Sequence, residues 1–131
     1  MTQVTVTVCI TCRRAGQDAD APDSQDERAE RPGARLLSAL ADSDLPAGVA
    51  LRPVQCLSAC ARGCAMVIEG GAERWTYLYG DLNPDTHVRQ ILDGIAAYAA
   101  SADGLVPWRA RPEVFRKQSI ARIPPKEAPH V

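Results

Sequence analysis

The sequence predicts an α/β protein built on a mixed sheet of about four strands flanked by helices. Three observations predict it: a β-branched run that alternates over residues 4–8, apolar stripes at helical spacing over residues 31–41 and 88–100, and two short apolar runs around a glycine turn within residues 65–79. Strand and helix patterns that alternate in this way argue for packed layers of both kinds.

Val4, Val6 and Val8 alternate with Thr5 and Thr7, which is the two-residue period of a strand with one buried face. Cys9 ends that strand, and Cys12 falls in the turn after it. Residues 15–27 are polar, acidic and without period, so they read as a loop. A helix follows over about residues 31–41, where Pro32 suits the first turn and Leu36, Leu37 and Leu40 form a stripe. Residues 49–54 read as a second strand, in which Pro53 argues against a long central position. If these two strands are parallel they form a βαβ unit with the helix, and Cys9 and Cys56 then leave the sheet at the same edge.

Residues 65–68 and 74–79 read as a hairpin around the turn 69–73, with Trp75, Tyr77 and Tyr79 on one face. That face reads first as a packing surface for the C-terminal segments; the alternative is a contact with a partner or with a second copy in a homodimer. Asn83-Pro84-Asp85 offers an N-cap, a first-turn proline and an acid for the positive end of a helix, and Val88, Ile91, Leu92, Ile95 and Ala99 keep helical spacing to about residue 100. Residues 1–100 therefore form the domain. Residues 101–131, broken by Pro107, Pro112, Pro124, Pro125 and Pro129, read as an irregular basic tail packed on it. Trp108, Val114 and Phe115 are its expected anchors, with one helical turn near residues 113–118.

A chain of 131 residues suits one domain. Its net charge is −1, but residues 1–100 hold 9 Arg against 13 Asp and Glu, whereas residues 101–131 hold 6 Lys and Arg against 3 Asp and Glu. An acidic body with a basic tail suits the steering of a protein partner. No Lys/Arg cluster interleaved with aromatics appears in the sequence, so nucleic acid is not expected. No secretory signal pattern opens the chain, and no apolar run approaches the roughly 20 residues that span a bilayer. The expected location is cytoplasmic, without a membrane. Thiols there stay reduced, and clustered cysteines read as ligands or catalytic thiols.

The five cysteines form two groups, Cys9-x2-Cys12 and Cys56-x3-Cys60-x3-Cys64. Two segments that each bring a pair of thiolates can close a four-sulfur shell, which suits zinc or an iron–sulfur cluster. The three-residue spacing of the second group departs from a zinc ribbon, and the two histidines, His87 and His130, lie in a helix and in the tail, where they read as surface residues. Leu57, Ala59, Ala61 and Ala65 are small or apolar and would shield the sulfurs. Arg62 reads first as a solvated loop residue, and otherwise as a cation that stabilises a reduced cluster. Cys64 is either a buried small hydrophobe at the entrance to a strand or an alternative ligand. A redox dithiol on Cys9 and Cys12 wants a helix N-terminus at the first cysteine, and the expected helix begins far downstream, near residue 31.

Cys56-Leu57-Ser58-Ala59-Cys60-Ala61-Arg62-Gly63-Cys64-Ala65-Met66-Val67 resembles the second ligand pair of the thioredoxin-like [2Fe-2S] ferredoxins and of the related small subunit of respiratory complex I. The whole chain resembles a family of uncharacterised bacterial proteins described as predicted metal-binding and linked by gene neighbourhood to cobalamin or cobalt metabolism. Cys9 to Cys12, Cys56 to Cys64, and residues 74–82, 103–109 and 122–125 carry that likeness.

The resemblance implies a thioredoxin-like ferredoxin fold, a [2Fe-2S] cluster on Cys9, Cys12, Cys56 and Cys60, and electron transfer between a reductase and an acceptor protein. The first pair is spaced more tightly than in those ferredoxins, and Cys64 stands where they tend to have proline or a small residue. Cys64 thus remains an alternative to Cys12. No acid–base pair, Ser/His/Asp set or phosphate-cradling glycine loop is visible, so an electron carrier is expected ahead of an enzyme. The competing expectations are a zinc- or cobalt-binding structural or carrier module and a thiol oxidoreductase.

Overall fold

A computed structural model describes residues 4–10, 32–55, 57 and 63–125. The alternating valines form β1 (Val4–Cys9), and α1 (Pro32–Ala41) and β2 (Val49–Val54) follow. The hairpin is β3 (Met66–Glu69) and β4 (Thr76–Tyr79); α2 (Val88–Ala100) comes next. The C-terminal segment adds a 3-10 turn (Trp108–Ala110), α3 (Glu113–Lys117) and β5 (Ser119–Ile123).

The five strands make one mixed sheet in the order β2-β1-β3-β4-β5. β1 and β2 are parallel, as the βαβ reading requires, and every other pairing is antiparallel. Registers Val6↔Ile68, Val8↔Met66, Met66↔Tyr79 and Ile68↔Tyr77 put these residues with Val4 on one sheet face. Leu36 and Leu40 of α1 and Ile91, Ile95 and Tyr98 of α2 close over that face to form the core. Full burial of a Leu or Ile side chain stabilises by about 1.5–3 kcal/mol. The four aliphatic anchors on the two helices are each fully buried and contribute on this scale.

The start of α2 differs from the expectation in detail. Asn83 caps a turn ahead of the helix: its Oδ1 accepts from the amides of Asp85 (2.8 Å) and Thr86 (3.3 Å). His87, the N-cap residue of α2, returns the contact, its Nδ1 accepting from the Asn83 amide at 2.9 Å. The histidine is half-buried and has a local structural task.

The fifth strand lies in the segment read as irregular. β5 carries no clean alternation and is mostly exposed, so its sequence holds little strand signal; the free edge of β4 supplies the hydrogen bonds that order it. The helical turn expected near residues 113–118 is α3, and Val114 and Phe115 are buried as expected. Phe115 stacks on Tyr79 with ring centroids 4.3 Å apart and covers Gly94 of α2, where a β-carbon would meet its ring. Trp108 is not an anchor: it is 59% exposed.

Candidate metal centre

β1 ends at Cys9 and β2 at Val54, and their parallel register pairs these two residues. The ladder runs one step further, since the Ile10 amide donates to the Val54 carbonyl at 2.9 Å. The Cys9 thiol donates to the Gln55 carbonyl, Sγ···O 3.6 Å. The chain that leads into Cys56 therefore passes directly beside Cys9. Cys12, Cys56 and Cys60, together with Ala59, Ala61 and Arg62, lie outside the described residues, as do the loop 15–27 and His130. Among the described residues no three His, Cys, Asp or Glu side chains converge to hold a metal ion.

Cys9 and Cys64 are both buried, but in different places. Cys9 packs with Ala65, Val54 and Leu57 in a small apolar cluster, whereas Cys64 belongs to the main core. Strand geometry explains the division. The Cys9 amide donates to the Ala65 carbonyl at 3.1 Å, so Ala65 stands opposite Cys9 and shares its face. Cys64, one residue earlier, turns with Met66 toward the helices. A soft sulfur donor packed among apolar side chains suits a soft metal or an iron–sulfur cluster.

The first turn of α1 rests on the backbone of Cys9. A β-carbon on Gly33 would collide with the Cys9 carbonyl and approach the Cα of Ile10. Glycine inside a helix costs about 1 kcal/mol relative to alanine, so glycine immediately after Pro32 is a sequence signal of close approach that the periodicity reading passed over. The contact also revises the argument against a redox dithiol. The helix begins far downstream in sequence, yet its first turn reaches Cys9 in space. The burial of Cys9 is the firmer objection, since an attacking thiol needs access.

Arg74 is buried; its Nη2 donates to the Ala99 carbonyl at 3.1 Å, and its guanidinium lies 5.7 Å from the Tyr98 ring centroid. A cation at the C-terminal end of α2 complements the helix dipole. Tyr77 and Tyr79 stack with centroids 5.8 Å apart, and Tyr98 meets Tyr77 edge-on. Burial pushes the Tyr98 phenol up to about 12 despite the opposing charge of Arg74, and burial, reinforced by Tyr77, raises Tyr79 further.

Residues 6–125 match the family model DUF1636, described as a protein of unknown function. The chain belongs to the DUF1636 family. No curated protein matches it. Among solved structures, this DUF1636 chain is similar to a thioredoxin-like [2Fe-2S] ferredoxin from Aquifex aeolicus, with 17% identity, a TM-score of 0.56 and coverage of 98% of this chain and 99% of that one. A 1.5 Å crystal structure of the wild-type thioredoxin-like [2Fe-2S] ferredoxin from Aquifex aeolicus gives 17% identity and a TM-score of 0.54, covering 92% and 99%. The likeness shows the fold: the DUF1636 domain has the mixed, helix-flanked sheet of a thioredoxin-like ferredoxin. No helix among the described residues is long and apolar enough to cross a membrane.

Proposed function

We propose that this protein is a small electron carrier that holds a [2Fe-2S] cluster on Cys9, Cys12, Cys56 and Cys60. The observation that carries the reading is the parallel register Cys9↔Val54, which brings the chain two residues before Cys56 to the side of Cys9. Four thiolates drawn as two pairs from adjacent strand ends fit such a cluster by donor chemistry. The ferredoxin fold supports the same reading.

When bound, a cluster of this kind supplies one-electron redox chemistry. The chain's part is to hold and shield it. Cys9 is fixed by the ladder bonds of β1 and by the first turn of α1, and Val54, Leu57 and Ala65 keep water from its sulfur. The partners on this reading are a reductase and an acceptor protein.

Serine replacement of each cysteine in turn tests the assignment. Cys9→Ser, Cys12→Ser, Cys56→Ser and Cys60→Ser should each lose or shift the visible spectrum of the protein, and Cys64→Ser should keep it. A colourless wild-type protein with one zinc per chain would leave the zinc module as the reading.

A further inference from the structure

Among the described residues, several cations of the C-terminal segment form no ion pair. Among the described residues the ion pairs are Arg35–Asp85, Arg89–Asp93 and Lys117–Glu113. Arg109, Arg111 and Arg122 are in none of these pairs, and Arg116 acts on Glu113 only from a distance. Two of these guanidiniums are held on aromatic faces. Arg122 lies 4.6 Å from the Trp75 ring centroid. Arg111 lies 5.6 Å from the Trp108 ring and 5.7 Å from the Tyr77 ring, and its Nε donates to the Val106 carbonyl at 2.8 Å.

The two stacks lie on one face of the sheet, because Arg122 of β5 is the register partner of Tyr77, the buried ring beside Arg111. Trp108, beside Arg111, is 59% exposed. An arginine already fixed on a ring loses less freedom when it meets a carboxylate, and exposed Trp and Arg are the residue types that anchor interfaces. The charge division adds direction, since an acidic body and a basic tail orient the molecule with this surface toward a negative partner.

We propose that the Trp75, Arg122, Arg111 and Trp108 surface docks an acidic protein partner, whose carboxylates pair with Arg111 and Arg122 while an apolar side chain covers Trp108. Nucleic acid fits less well, because two fixed guanidiniums form too short a row to follow a phosphate backbone. This inference goes beyond the cluster reading and does not depend on it.

The test uses the full chain as purified and a fluorophore-labelled poly-L-glutamate peptide, with anisotropy as the readout at about 20 mM salt, where charge contacts are weakly screened. The only tryptophans of the protein, Trp75 and Trp108, both lie on this surface, so intrinsic fluorescence is a second readout wherever no chromophore quenches it. The expected result is saturable binding that weakens as salt rises, falls roughly tenfold in R111Q/R122Q, and is kept in R52Q, which makes the same kind of charge change on the exposed Arg52 of β2. Arg122 is exposed, so R122Q alone carries the test should the double variant fold poorly. Equal binding by wild type and R122Q would overturn the proposal, as would no binding at all. Tighter binding of an oligothymidylate of equal charge would overturn it in favour of nucleic acid. Self-association lost in R122Q would overturn it in favour of a second copy.

Discussion

Gly33 packs its backbone onto the Cys9 carbonyl so closely that no β-carbon fits between them. Through this contact the first turn of α1 holds the end of β1, and β1 in turn presents Cys9, the one of the four proposed ligands among the described residues. The helix-side contact is to the backbone, while the Cys9 side chain packs with Ala65, Val54 and Leu57. Helix and sulfur thus meet the strand end from different sides.

Gly33→Ala should therefore destabilise the fold by about 1–3 kcal/mol, as overpacking does where backbone must move. It should also reduce metal content as purified, since it displaces Cys9. Denaturant unfolding and metal analysis check both. Wild-type stability would show that α1 can shift without cost, and the positioning argument would fail.

The C-terminal segment is fastened by Phe115, which fills the space between Tyr79 and Gly94. Phe115→Ala should cost about 3–5 kcal/mol. Loss of this anchor should also speed amide exchange in β5, whose ladder depends on α3 staying docked. Hydrogen exchange that rises across β5 and β4 but not across β1 would fit; a uniform change would indicate global unfolding instead.

Cys64 sits in the main core, away from the Cys9 cluster. Cys64→Ser should cost about 1–3 kcal/mol by burying a hydroxyl, and should leave the ultraviolet–visible spectrum unchanged. A bleached spectrum in a folded variant would make Cys64 a ligand and remove one of the four assigned here.

Tyr79 and Tyr98 predict an alkaline limit. Burial raises both phenols, Tyr98 to about 12, so each keeps its proton in the fold at pH values where the unfolded chain has lost it. Their contribution to stability is whole below about pH 10, the ordinary tyrosine value, and is lost as pH rises through the folded values. Absorbance at 295 nm should show both phenols still protonated at about pH 11, one unit below the Tyr98 value. Early ionisation without unfolding would contradict the burial argument.

Much of the fold was legible because hydrophobic period carries it. The alternation at Val4, Val6 and Val8 and the stripe Ile91, Leu92 and Ile95 correspond to β1 and α2 in the structure. β5 was not legible, since Ser119-Ile120-Ala121-Arg122-Ile123 is ordered by an edge elsewhere in the chain and not by its own pattern. Trp108 misled because size suggests burial, whereas here the ring lies against Arg111 at the surface. At the site, spacing gave the cysteine pairs and the parallel strand ends that bring Cys9 beside the approach to Cys56. It could not give the contact between Gly33 and Cys9, which joins residues far apart in sequence through backbone alone.

The most direct measurement is the iron, acid-labile sulfide and zinc content of protein purified without oxygen, with its visible spectrum before and after dithionite. The account predicts two irons and two sulfides per chain, as a [2Fe-2S] centre requires, and visible bands that bleach on reduction. One zinc per chain and no visible absorbance would contradict it.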